Sequence, residues 1–324
     1  MDPASFFTAA KVHIVAGKGG VGKTTATASL AVAAARLGLS VLVVDVEGRS
    51  SAGRLLGAED VTHDATIVAR PGATGADGRV SVRSLSPDTA LVEYLEGHGL
   101  ARVARRMVRT GVVDIVANAA PGMHDILLLG KIKQIEQAGE ADVILVDAPA
   151  SGHAISFLNA PRGLLDAVRV GPIRTQALAA LDLLSDPVRC QVLLVTLAEE
   201  TPVNEVVETA FRLEDEVGIK LGPVIVNNVD PAPGLDDLDV DAILTRAAVG
   251  DEERRLVAAA AHHRRDRAAL QGRHLERLAT ELPLPQLLVS RRINGEVGPG
   301  DLDDVAAELT AGIEALEPAA VRAS

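Results

Sequence analysis

From Gly17 to Thr25 the chain reads Gly-Lys-Gly-Gly-Val-Gly-Lys-Thr-Thr. Glycines at Gly17, Gly19, Gly20 and Gly22, with Val21 between the last two, let a backbone curl so that several N–H groups face one anion. Lys23 can place a point charge on the outer phosphates of a bound triphosphate. The hydroxyl of Thr24, followed by Thr25, is a hard oxygen suited to Mg2+. Glycine, four residues, then glycine-lysine-threonine is the spacing of a phosphate-binding loop. Lys18 adds a second cation directly after the first glycine.

Two further segments carry carboxylates that could serve such a loop. Asp45 and Glu47 are separated by one residue in Asp-Val-Glu-Gly-Arg. At the carboxyl edge of a sheet, one of them could orient an attacking water or hold a metal's water shell. Asp147 ends an apolar run and is followed by Ala-Pro-Ala-Ser-Gly-His. A carboxylate there typically meets Mg2+ through water. Gly152 could bring an N–H close to a terminal phosphate, and its release would give a two-state switch. His153 reads equally well as a phosphate donor or as a structural residue. Asn227 offers a donor and an acceptor to a nucleobase edge, but asparagine also commonly ends strands.

These residues need a scaffold, and the hydrophobic pattern supplies one. Near-continuous Val, Leu and Ile runs predict strands at Val12–Ala16, Val41–Val46, Val80–Ser84, Val143–Val146, Val192–Leu197, Val224–Asn227 and Gln286–Val289. Such runs suit strands buried on both faces. Helical patterns alternate with them near 88–110, 124–138, 154–169, 174–185, 202–217, 237–281 and 301–315. The order predicts an α/β fold, a mostly parallel sheet with helices on both faces. Glycine-rich or proline-rich turns are expected at 72–78 and 230–234. No internal repeat or low-complexity linker divides the chain. One domain is expected over residues 1–324, with helical insertions at about 88–138 and 154–188 and a further helical segment at 237–281.

Composition narrows the function classes. Of 324 residues, 48% are apolar but only 2% aromatic, so the core must be aliphatic. Stacking platforms for nucleic acid are then scarce. A net charge of −12 gives no long-range field toward DNA or anionic lipid. The single Cys190 excludes an internal disulfide and a paired-cysteine zinc site within one chain. No apolar run reaches membrane-span length and no leader pattern opens the chain, so a cytoplasmic protein is expected. Arg102, Arg105, Arg106 and Arg109 recur at helical spacing, as either a solvated face or a contact for an acidic partner or membrane surface. The His262–Arg267 run places adjacent histidines on different faces, which supports no metal pair.

Taken together, the motifs resemble the ArsA arsenite-pump ATPases and the eukaryotic ATPase that targets tail-anchored membrane proteins. The loop is similar to their deviant Walker A motif, with Lys18 at the signature lysine. Asp147 to His153 resembles the second switch segment, and Pro121-Gly122-Met123-His124-Asp125 resembles another family motif. Thr196 to Glu199 and Asn227 fall where related elements occur. The likeness runs from about residue 11 to 315 and looks strongest to bacterial ArsA-like (Get-like, or Bag) ATPases. It implies ATP hydrolysis with Mg2+ in a nucleotide-sandwich dimer, either a homodimer or a pair with a paralogue. Lys18 would act across the dimer, Glu47 would orient the water with Asp45 in reserve, and Asn227 and Pro285 would contact adenine. It implies a client or partner on a helical surface, and neither nucleic acid nor an integral membrane span.

The sequence departs from that pattern in four places. Glu47 replaces the expected aspartate, which predicts poorer water positioning and slow turnover. The cysteine pair of the eukaryotic zinc site is missing, so no zinc is expected. Only three methionines occur, where the eukaryotic client groove is methionine-rich. One cysteine cannot rebuild a metalloid site. Ile126, Leu127, Leu128, Leu129, Ile132 and Ile135 could line an aliphatic groove or pack against neighbouring helices. Other readings are a positioning ATPase of the kind that segregates plasmids or places the division site, a ligase or kinase on the same scaffold, and a slow regulatory subunit.

Overall fold

Strand residues alternate between two apolar layers, and that alternation organises the molecule. The computed structural model describes residues 1–46, 51–58, 61–62, 64–68, 78–97, 99–110, 122–230, 238–247, 250–292 and 297–317. Its strands are β1 (Val12–Gly17), β2 (Ser40–Asp45), β3 (Thr66–Val68), β4 (Arg79–Ser84), β5 (Val143–Ala150), β6 (Cys190–Leu197), β7 (Val224–Val229) and β8 (Gln286–Ser290). They form one eight-stranded sheet in the order β3-β4-β2-β5-β1-β6-β7-β8. Every pairing is parallel except β3 with β4.

The helices are α1 (Pro3–Thr8), α2 (Lys23–Arg36), α3 (Ser51–Leu55), α4 (Pro87–Gly97), α5 (Ala101–Thr110), α6 (Met123–Ala138), α7 (Ser151–Ala167), α8 (Pro172–Ser185), α9 (Glu200–Arg212), α10 (Val240–Arg246), α11 (Asp251–Glu281) and α12 (Pro299–Glu314). Val12, Ile14, Ile144, Val146, Val192 and Leu194 point to the layer made by α6, α7, α8 and α9. Val15, Val143, Leu145, Leu193 and Val195 point to the layer made by α1, α2, α3 and α12. The period of two along each strand produces this split. Buried alanines along α2 let it lie close to the sheet and to α12.

The expected strands all form. The sheet adds the short antiparallel β3, whose middle residue Ile67 is exposed and which has too few residues for an apolar signal. The helix expected over 88–110 is two helices, broken around Gly97 and Gly99, with Gly99 at φ +77°. The run at 202–217 is α9 followed by a π-helical turn at Leu213–Val217, which Gly218 closes at φ +72°. The run at 237–281 is α10 and α11, separated before Gly250. Most of the turns expected at 72–78 and 230–234 lies outside the described residues.

Ile126, Leu127, Leu128, Leu129, Ile132 and Ile135 are all buried. Ile126 packs with Leu164 and Ala177, and Leu127 with Ala90 and Leu91. The other four join the main core. Among the described residues they line no open groove. Their burial on several sides of α6 follows from helices packing around it. Among the described residues, no helix is long and apolar enough to cross a membrane.

Candidate phosphate-binding site

β1 is flanked by β5 and β6, so the loop leaving its carboxyl end meets groups from both sides. Gly20 and Gly22 lie at φ +85° and +94°, the left-handed region that favours glycine. A Cβ on Gly17 would run into the carbonyl oxygen of Val195, and one on Gly22 into the amide of Asn227. These glycines let the backbone fold tightly against the ends of β6 and β7. α2 then starts at Lys23 with no side-chain cap, because Gly22 holds the cap position. The first N–H groups of a helix need a partner, and an anion is a favourable one.

The hydroxyl of Thr24 donates to Oδ2 of Asp147 at 2.8 Å, and that of Thr27 donates to Oδ1 at 3.4 Å. Register explains the meeting. Asp147 is level with Val15 on β1 and shares the α2-facing side of the sheet with Leu145. Threonines three apart on α2 share one face and meet both carboxylate oxygens. Thr27 also donates to the carbonyl of Lys23 at 2.9 Å. Sequence reasoning missed Thr27, although its spacing from Thr24 was visible.

Asp45 is the register partner of Asp147 across β2 and β5. Both are buried, with 3% and 8% of their surface exposed. Oδ2 of Asp45 accepts the N–H of Ser51 at 3.1 Å, at the first residue of α3. Glu47 lies outside the described residues, so Asp45 alone represents that segment here. Gly152 is the second residue of α7, which follows β5 directly, and the side chain of His153 lies outside the described residues.

The amide of Asn227 donates to the carbonyl of Val21 at 2.9 Å. It therefore ties β7 to the loop. Lys23 Nζ donates to the carbonyl of Lys18 at 3.1 Å, and Lys18 Nζ donates to Oε1 of Glu205 on α9 at 2.5 Å. Nothing in the sequence singled out Glu205, because an ion pair across 187 residues has no local pattern.

Pro285 is not brought to the site. It precedes β8, and its carbonyl accepts the N–H of Val224 at the first residue of β7. In a parallel pair this is the amino edge of the sheet, a strand length from the loop. The carboxyl end of β8 carries Ser290 instead, and residues 293–296 beyond it lie outside the described residues.

A mostly parallel sheet covered on both faces, with a glycine-rich loop between a central strand and its helix, defines a phosphate-loop NTPase of the α/β class. Residues 10–176 match the family model described as anion-transporting ATPase, more than half of the chain, and the protein belongs to that ArsA family. It is 34% identical over 229 residues to ATPase BagA of Mycobacterium tuberculosis, covering 68% of this chain and 66% of that one. It is 26% identical to the arsenical pump-driving ATPase of Escherichia coli, covering 67% of this chain and 39% of that one. It is 27% identical to ATPase get3 of Schizosaccharomyces japonicus, covering 52% of each. The chain thus matches slightly under two thirds of the length of BagA and less of the other two.

Proposed function

We propose that this chain binds ATP with Mg2+ at the Gly17–Thr25 loop and hydrolyses it as one half of a dimeric switch. The observation that carries this reading is the Thr24–Asp147 pair beside an uncapped helix start. Thr24 and Asp147 offer hard oxygens 2.8 Å apart, a donor set that suits a small cation sharing its shell with phosphate and water. The bound cation would neutralise phosphate charge. Thr24 would ligate it and Asp147 would hold its water. The backbone from Gly19 to Thr25 would cradle the phosphates, and Lys23 would offset their charge.

Lys18 would reach phosphates held by the partner subunit, an identical chain or a paralogue. Asp45 or Glu47 would orient the attacking water. The Ser51 contact already uses one oxygen of Asp45, which favours Glu47 for that role. Gly152, at the start of α7, would sense the terminal phosphate and pass its loss to the helical layer. A client or partner surface on that layer would then change exposure. Asn227 would serve adenine through the rest of its amide while holding Val21.

The test is phosphate release from ATP in Mg2+ by the unaltered chain, Lys23→Ala and Glu47→Gln, alongside nucleotide binding. Lys23→Ala should lose tight binding. Glu47→Gln should bind ATP and retain it unhydrolysed. Equal turnover by all three would defeat the reading.

A further inference from the structure

Lys18 is held away from the Thr24–Asp147 side of the loop. Thr24 and Asp147 meet on the β5 side of β1, whereas the ammonium of Lys18 reaches the opposite, β6 side and pairs with Glu205 of α9 at 2.5 Å. The pair borders a small cleft that Gly17, Val195, Thr196 and Pro202 also line. Both side chains are part-exposed, at 42% and 36%. The second oxygen of Glu205, Oε2, is buried and has no hydrogen-bond partner among the described residues. A carboxylate with one oxygen unsatisfied depends on the single cation its other oxygen holds.

We propose that Glu205 is a positioning residue for Lys18: it parks the ammonium on the α9 side and sets how readily that lysine is released toward a triphosphate. The proposal rests on the reading of Lys18 as a phosphate contact across a dimer. A phosphate can win the lysine because it offers more charge and more acceptor oxygens than one half-screened carboxylate oxygen. The competition makes closure conditional. Without a triphosphate Lys18 stays with Glu205; with one, the ammonium transfers and Glu205 is left uncompensated beside the cleft. The counter-charge must therefore be weak enough to lose, and part-exposure makes it so.

The experiment measures ATP-dependent association of the full chain by sedimentation velocity in ATP and Mg2+, at low and moderate salt. It compares the unaltered protein with Glu205→Gln, Glu205→Asp, Lys18→Ala and the Lys18→Ala/Glu205→Gln double variant, each matched by thermal melting. Glu205→Gln should strengthen association by about one and a half- to fivefold, the scale of a part-exposed ion pair, with most of the gain at low salt. Glu205→Asp keeps the charge but shortens the reach, and should behave like Glu205→Gln. The gain should vanish in the Lys18→Ala background, where nothing is parked.

An equal gain in that background, or an Asp variant indistinguishable from the unaltered chain, would mean that Glu205 acts only as a nearby negative charge, and would overturn the proposal. So would unchanged association in Glu205→Gln when Lys18→Ala weakens it. Association unaffected by Lys18→Ala alone would instead defeat the cross-dimer reading of Lys18, and the proposal with it.

Discussion

Asp45 and Asp147 face each other in register at the carboxyl ends of adjacent strands, yet they serve different helices. Asp147 takes the hydroxyls of Thr24 and Thr27 on α2, while Asp45 takes the N–H of Ser51 at the start of α3. Two buried carboxylates with separate partners should respond differently to the same substitution. Asp147→Asn keeps the shape and should weaken Mg2+-dependent ATP affinity by about 10–100-fold, the scale for a residue holding a metal's outer shell. Asp45→Asn keeps an acceptor oxygen for the N–H of Ser51 and should leave both affinity and stability nearly unchanged. Isothermal titration with ATP and urea unfolding separate the two. Equal losses of affinity would contradict the division.

Gly22 combines a left-handed backbone with a neighbour that occupies the space of a side chain. Gly22→Ala must strain the loop or push Asn227 off the Val21 carbonyl. The expected cost is about 1–3 kcal/mol of stability together with weaker ATP binding. Gly38, with a similar φ of +88° but nothing near its missing Cβ, should show the backbone strain without the binding loss. Paired unfolding and binding curves for the two alanine variants test this. Equal ATP affinity in both would show that the Asn227 contact is incidental.

His13 is fully buried on β1, between the carbonyl of Phe7, 2.8 Å from Nε2, and the amide of Gln191, 2.8 Å from Nδ1. Burial pulls its pKa down from 6.5 to about 4. The folded pKa is below the unfolded one, so the stability from keeping His13 neutral is complete above about pH 6.5. It is lost progressively as pH falls toward about 4. The loss across that window is about 3 kcal/mol, from roughly 2.5 pKa units at 1.36 kcal/mol each. Urea unfolding between pH 7 and 4.5 should show this decline in the unaltered chain and a smaller one in His13→Gln. Parallel curves for the two would remove His13 as the cause.

Asp230 anchors the long α11 to the end of β7. Its carboxylate meets Arg267 Nε at 2.7 Å and Arg291 at 3.4 Å, and Gln271 bridges the N–H of Asp230 to the carbonyl of Asn228. Gln271 and Leu278 are the buried residues of this 31-residue helix, so the Asp230 cluster ties down one of its two buried positions. Asp230→Ala should cost about 1–3 kcal/mol, discounted because both arginines are part-exposed. Hydrogen exchange should rise first along α11 and at Asn228. Unchanged exchange there would show that packing alone fixes the helix.

The sequence revealed whatever depends on local periodicity. The apolar runs marked every major strand because both sheet faces are covered. Glycine spacing marked the loop because backbone reversal near an anion needs glycine. Asp147 was legible because it interrupts an apolar strand at its carboxyl end. Residues joined through tertiary register left no such trace. Glu205 is one acidic residue among several on α9, and only the fold brings it to Lys18. Pro285 was misplaced for a related reason: proximity to a strand in sequence does not say which edge of the sheet a residue occupies. β3 was too short to register, and the break at Gly97–Gly99 was hidden inside a continuous helical pattern.

The central claim is that the Gly17–Thr25 loop holds ATP. Equilibrium titration of the full chain with ATP in Mg2+, beside Lys23→Ala with a matched thermal melt, tests it most directly. The account predicts one saturating ATP per chain and at least roughly a 100-fold loss of affinity in the variant, the scale on which removing a charge-assisted phosphate contact acts. No saturation at millimolar ATP, or equal affinity in the two proteins, would contradict it.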